Sequence, residues 1–382
     1  PWVMEHRLQP FHRDYFSIDQ PRLAKLFTYS HEWRGVHGHS QVQTAQGPLA
    51  TWLPEQALSI SQLEHFLREP ARLFTQLRLD TYLSEQTLTL SDNESFTLDQ
   101  LESWQSMNSL LEDVIELFRE GNDVQAIQQL LEQRLARSQR AGELPLGAAG
   151  LTIKEWLLES LDEHVVTLAQ WLDTYSRSIP TFTIDYKSST GVAVHGVFRQ
   201  CFQNATDERL WLRTTPSVLV EHTRYGSQPR TNHLVGLWIE HLMLNTQYPT
   251  WSVLVGRESQ LKLSPLTAAC AEETLDSILH WVVQGLQQPL PLDLMTAMHA
   301  IKLNHKDWAQ AFQQGGVDPI HESTREFYEQ PSHNQRARVR EAVYVGRYFP
   351  SYDELIASGL FNQLVRELYE PMIAHFYSTD TK

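Results

Sequence analysis

The residues with chemistry to offer fall in four places. Asp185-Tyr186-Lys187 is an acid-x-lysine tripeptide in a run of strand character. In metal-dependent phosphodiester hydrolysis, carboxylates gather Mg²⁺ at the scissile phosphate and a lysine helps activate water. The tripeptide is a candidate for that chemistry, as an active Mg²⁺-dependent nuclease using Asp185 and Lys187. No acid-bearing strand precedes it at a suitable spacing, however, and an exposed edge-strand pair accounts for the same residues. His37-Gly38-His39 offers two imidazoles, but a third ligand is missing, so a polar loop is the plainer reading. Arg336, Arg338 and Arg340, followed by Tyr344, Arg347 and Tyr348, form the most basic patch that carries aromatics. Arginines hold phosphates and tyrosines stack on bases, while a charged helix surface packed on a partner protein is the competing reading. Glu32-Trp33-Arg34 sets a large ring beside a cation. Exposed, that ring would stack on a base pair; buried, it is one of 11 tryptophans in a core.

Other chemistries are absent from the sequence. It holds no GxxxxGK[ST], no GxSxG and no HExxH. Cys201 and Cys270 are the only cysteines, which excludes a four-cysteine zinc site or iron–sulfur cluster within this chain. Neither a metal nor a cofactor is expected. A disulfide framework is not expected either, so a reducing cytoplasm is the expected location. The net charge is −15, so nucleic acid cannot be bound over the whole surface and any such contact must be local. Protein partners suit this acidity better. The first residue is proline, and the chain is expected to be a piece of something longer. No apolar run approaches membrane-spanning length and no signal peptide opens the sequence.

The elements that must position these residues follow from hydrophobic period. With 382 residues, 41% hydrophobic and 20% charged, the chain is long enough for a large core. Residues 1–57 read as an extended lead-in and a helix opened by Pro21 and running to Trp33. Residues 58–178 are helical. Ser61 with Glu64, Thr97 with Gln100, and Thr152 with Glu155 have capping-box spacing. His164 falls on the apolar face of the last of these helices, where a satisfied core histidine is expected. Between 97 and 135, eight acids stand against two arginines, a solvated acidic face. From Pro180 the period changes to two, and 179–290 reads as a mixed core. In that core, Thr181–Lys187 is a strand, Val192–Ser217 a hairpin turning at residues 204–207, and Thr231–Asn245 a buried helix. Strands at 251–255 and 260–263 and a helix at 267–287 complete it. The tail, 291–382, is helical in short pieces. The expected class is α/β (α+β).

Taken in order, several short runs resemble the C-terminal region of the RecC family, the gamma chain of exodeoxyribonuclease V. They are LQPFHRDYF from Leu8, LFTYSHEW from Leu26, ISQLEHFLREPARLF from Ile60, LPLG from Leu144, LRTTPS from Leu212 and LWIEHL from Leu237. The resemblance implies a PD-(D/E)XK nuclease-like core with a degenerate active site, flanked by helical regions. Active relatives carry an acid on the first hairpin strand and acid-x-lysine on the second. The matching positions here are Arg199 and Arg213-Thr214-Thr215. A guanidinium is charged at any accessible pH and has no lone pair for a metal. The Gln-xxx-Tyr helix of active relatives is matched only by His233 and Leu237, and the position of their helical histidine by Glu155. The resemblance further implies a non-catalytic scaffold and DNA-channel domain. Its partners would be RecB-like and RecD-like subunits and duplex or fork DNA, with Glu32-Trp33-Arg34 belonging to an element that parts the strands.

Overall fold

Period-two runs between residues 177 and 263 supply all but one strand of three sheets, and the largest is buried on both faces. The structure, a computed structural model, describes residues 6–16, 26, 28–29, 33, 47–83, 100–142, 144, 147–223, 226–301, 322–330 and 338–380. Strands β1 (Leu58–Ser59), β2 (Arg177–Ile179), β3 (Phe182–Lys187), β4 (Ala193–Phe198), β5 (Cys201–Gln203) and β6 (Arg209–Val218) come first. They are followed by β7 (Val220–Thr223), β8 (Gly226–Pro229), β9 (Thr250–Arg257) and β10 (Ser259–Leu263). A five-stranded sheet has the order β10-β9-β6-β5-β2, a three-stranded sheet the order β1-β4-β3, and β7 pairs with β8. β6 and β9 run parallel, as do β1 and β4; the other pairings are antiparallel, so the fold is mixed α and β.

Alternation along β6 divides the core. Leu210 and Leu212, with Phe202, Val253 and Val255, pack against helices α3 (Gln100–Arg119), α4 (Val124–Ala141) and α5 (Gly147–Thr174). Trp211, with Cys201 and Leu254, faces the opposite way. There it packs with α1 (Ile60–Arg68), α2 (Pro70–Leu73), α6 (Thr231–Asn245) and α7 (Ala268–Gly285). Successive strand residues point to opposite faces, so residue 213 follows 211 toward α6. That helix buries 12 of its 15 residues, as a helix apolar all round must. Its end is pinned by Asn245. The amide nitrogen donates to the carbonyls of His241 and Thr250, and the amide oxygen accepts from the N–H groups of Thr250 and Leu266.

Contacts divide the chain into residues 1–48 and 49–382. In the first unit, a 3-10 turn at Arg13–Tyr15 is held by Arg7, whose Nε donates to Asp14 at 2.7 Å. The boundaries expected at 178/179 and 290/291 fall within the second unit. In the tail, α8 (Leu294–Ile301), α9 (Glu322–Glu329), α10 (Arg338–Glu341), α11 (Val343–Tyr348) and α12 (Tyr352–Ile356) are short, as expected. The last helix, α13 (Leu360–Asp380), is not: it runs 21 residues and donates the Tyr369 hydroxyl to the Leu67 carbonyl of α1.

Three local expectations need correction. Val192–Ser217 is not one hairpin. The strand breaks at Arg199-Gln200, so β4 joins the small sheet and only β5 and β6 form the hairpin. Its turn does sit at residues 204–208, where Asn204 Oδ1 accepts from the N–H groups of Thr206 and Glu208. The cap of α1 is Ser59 with Gln62, not Ser61 with Glu64, because Ser59 holds the extended backbone that a cap requires. Helix α5 starts at Gly147, a turn before Thr152, whose hydroxyl donates back to the Ala148 carbonyl. Thr97 lies outside the described residues.

A buried ion pair ties two parts of the tail to each other. Asp293, fully buried, accepts Nε and Nη2 of Arg338 at 2.9 and 2.7 Å and caps α8 through the N–H and hydroxyl of Thr296. Arg338→Ala leaves that carboxylate buried and unpaired, a loss of about 3 kcal/mol. Urea unfolding should show it as a lower midpoint. Arg325→Ala, which breaks the solvent-exposed pair to Asp353, should move the midpoint far less. Equal shifts would contradict the burial argument.

Candidate functional site

A cleft of about 680 Å³ lies where β6, the β4–β5 link, α1, α3 and α6 meet. β6 contributes Trp211, Arg213, Thr214 and Thr215, and the link contributes Arg199 and Gln200. From α6 come Asn232, His233, Gly236, Leu237 and Glu240; from α1, Glu64 and Arg68; from α3, Asn108, Glu112, Asp113 and Glu116. Arg199, Arg213, Thr215, His233 and Leu237 thus share one cavity wall system. Cys201 faces Trp211 in the β5–β6 ladder, and the Leu212 N–H donates to the Gln200 carbonyl at 3.0 Å. The β5–β6 ladder ends at Cys201, so Arg199 reaches the cleft from the link and is not paired with Arg213 in the sheet.

The Arg213 guanidinium is held, not loose. Its Nη1 donates to Glu240 Oε2 at 2.7 Å, and its carbon lies 5.6 Å from the centre of the Trp211 ring. The side chain remains 43% exposed, against 14% for Glu240, so the cation forms the cleft wall and the anion lies behind it. Burial pushes the Glu240 carboxyl up to about 7, against the pull of Arg213. Burial works against the Arg213 charge as well, and Glu240, by charge and by hydrogen bond, more than restores it. Burial raises Glu64 also, opposed by Arg68 and Arg213. His233 is shifted the other way, first by burial and then by Arg68, Arg230 and Arg213, and so favours its neutral form. Gly236 lets α1 and α6 approach here, since a Cβ on it would come within 3.3 Å of the Glu64 carboxyl.

Chemically, this is a set of neutralised charges with an exposed arginine, Arg199, at the rim. Among the described residues no group of three His, Cys, Asp or Glu is placed to hold a metal ion. Asp185 lies away from the cleft on β3, exposed and paired with His195 Nδ1 at 2.7 Å. Glu155 is exposed on α5 and does not line the cleft. His164, on the same helix, is buried. Its Nδ1 lies 3.0 Å from the Ser160 carbonyl and its Nε2 lies 3.2 Å from the Thr215 carbonyl, so either tautomer has an acceptor.

The remaining expected site residues are scattered. Trp33 is 44% exposed and tilted against Phe11, ring centres 5.4 Å apart. Glu32, Arg34, His37, His39 and Arg336 lie outside the described residues, as does the Arg340 side chain. Arg338 is a correction: expected to face phosphates, it turns inward to Asp293, because a buried carboxylate demands a cation. Tyr344 is buried too, its hydroxyl accepting from Gln76, and offers no face to a base.

The sequence reading missed Glu64, Glu240 and the acidic wall of α3. A signal for Glu240 was present: 233, 237 and 240 are spaced i, i+4, i+7 and share one face of α6. Because the fold binds the Glu240 proton more tightly than the unfolded chain, this residue makes stability fall as pH rises from about 4.5 to about 7. Glu240→Gln, which keeps an acceptor for Arg213, should flatten the stability slope measured by urea unfolding across that window. The part that remains includes Glu69, also raised to about 7 by burial, and Glu64, raised by burial too. A slope unchanged by the substitution would contradict this placement.

Comparison with known proteins fits this geometry into a family. The RecC C-terminal domain family matches residues 55–305, which includes every element lining the cleft. The RecBCD enzyme subunit RecC of Escherichia coli (strain K12) is 25% identical over 269 residues, 69% of this chain and 21% of that protein. The chain therefore spans about a fifth of the length of this relative. With more than half of its residues matched by one family, the chain belongs to the RecC C-terminal domain family.

Proposed function

We propose that this chain is a non-catalytic scaffold and DNA-channel domain of a RecBCD-type DNA repair and recombination helicase–nuclease, built on a degenerate PD-(D/E)XK nuclease-like core. RecB-like and RecD-like subunits would be its protein partners, duplex or fork DNA its nucleic acid, and the cytoplasm its place. Among the described residues no helix is long and apolar enough to cross a membrane.

One observation carries the reading: the Arg213 guanidinium, locked to Glu240 at 2.7 Å, lines the same cleft as Arg199 and Thr215. An active core of this kind gathers Mg²⁺ with carboxylates beside a lysine. Two guanidinium groups repel that ion, and a threonine hydroxyl does not replace the lysine. Glu240 is spoken for by Arg213. The acid-x-lysine of β3 stands apart, with Asp185 engaged by His195. Assembly with motor subunits agrees with the name of the relative, a subunit of the RecBCD enzyme.

Incubated with single-stranded DNA and Mg²⁺, the purified chain should leave the DNA intact. Digestion that disappears in Asp185→Ala would replace the scaffold reading with that of an active nuclease.

The exposed indole of Trp33 is the strand-parting candidate, with Glu32 and Arg34 beside it in sequence. In the assembled helicase–nuclease, Trp33→Ala should slow unwinding of a forked duplex while the circular dichroism spectrum and the melting temperature stay unchanged. Unaltered unwinding would remove Trp33 from the element.

A further inference from the structure

β3 is the outer strand of the β1-β4-β3 sheet, and among the described residues its one strand partner is β4. In an antiparallel pair, alternate residues turn their N–H and C=O groups toward the partner, and the others turn them away. Along Phe182–Lys187 the outward groups therefore form a backbone ladder with no partner among the described residues. No backbone–backbone bond from this edge reaches another described segment.

A groove of about 610 Å³ runs beside the strand. Its near wall is the unbroken run from Ile179 to Asp185. A groove over the face of a strand meets alternate residues, whereas one along its edge meets them all. Within β3 the run is Phe182–Asp185, unbroken, which sets the groove against that part of the edge. The far wall is Arg209, Gln247 and Tyr248. The Arg209 guanidinium lies 3.5 Å from the centre of the Tyr248 ring and has no carboxylate partner among the described residues. The groove thus has a cation on its far wall, and the Asp185 carboxylate, 75% exposed, closes one end of the near wall.

We propose that this groove binds an extended polypeptide segment of a protein partner, which adds to β3 as a further strand and sets an acidic side chain against Arg209. The backbone ladder selects the class of ligand: a row of amide donors and acceptors at strand spacing is matched by another polypeptide strand. A guanidinium with no carboxylate partner among the described residues selects the charge. The site is separate from the Arg213 cleft, which shares no lining residue with it, so it stands or falls independently of the scaffold reading.

The probe is a capped seven-residue peptide of alternating Thr and Val with a central Glu, titrated into the full 382-residue chain. Fluorescence anisotropy reports binding, and hydrogen exchange reports the β3 amides. Saturable binding is expected, with slower exchange confined to residues 182–187 within the sheets. Methylating the peptide nitrogens along one edge, which leaves the side chains in place, should abolish it. Arg209→Glu should weaken the Glu peptide about fivefold and favour the Lys-for-Glu peptide instead. Absence of binding, binding that survives N-methylation, or binding indifferent to Arg209→Glu would each overturn the proposal.

Discussion

A strand buried on both faces can carry a cation only where an anion is supplied from the layer above it. β6 is such a strand. Leu210 and Leu212 belong to the α3–α5 side, Trp211 to the α6 side, and strand alternation commits residue 213 to α6. Arg213 is tolerable there because Glu240 rises from α6 to within 2.7 Å. Removing either partner would strand a charge in a poorly solvated wall. The rest of the cleft adapts to this pair. Glu64 and Arg68 add a second opposed pair at 3.4 Å, Gly236 leaves room for the Glu64 carboxyl, and His233 is pushed toward neutrality.

The same pair separates structure from chemistry. A site for phosphodiester cleavage needs carboxylates free to take a divalent ion. Here the Glu240 carboxylate is taken up by a guanidinium on β6, and burial raises its pKa to about 7. In this cleft the charges of Arg213 and Glu240 neutralise each other. Family membership over residues 55–305 covers this core, while the relative is about five times the length of the match.

Much of this was legible in the sequence where one element answers to one period. Thr231–Asn245 was read to the residue as a buried helix, because apolar side chains recur on every face of it. β9, β10 and α7 likewise fall where alternation and helical period place them. What failed was the assignment of strands to sheets. β4 and β5 are separated by only Arg199 and Gln200, with no glycine or proline to mark the break, and period two reads the same whether a chain stays in one sheet or changes to another. The site was half legible. Arg199, Arg213, Thr215, His233 and Leu237 were named and do line one cleft. Glu240 and Glu64 were not: helical spacing marks the face of α6 that carries Glu240, but its partner lies 27 residues away and is set by packing. The cap of α1 belongs here too: with Ser59 and Gln62 closing the box, Glu64 is released from capping and becomes part of the cleft.

We propose that the Arg213 guanidinium stands where an active core would hold a metal, and electron paramagnetic resonance of added Mn²⁺ tests that most directly. Titrated into the intact chain at neutral pH, Mn²⁺ should show only weak, non-stoichiometric binding, unchanged by Glu240→Ala. One tightly bound Mn²⁺ per chain, lost in Glu240→Ala, would contradict it.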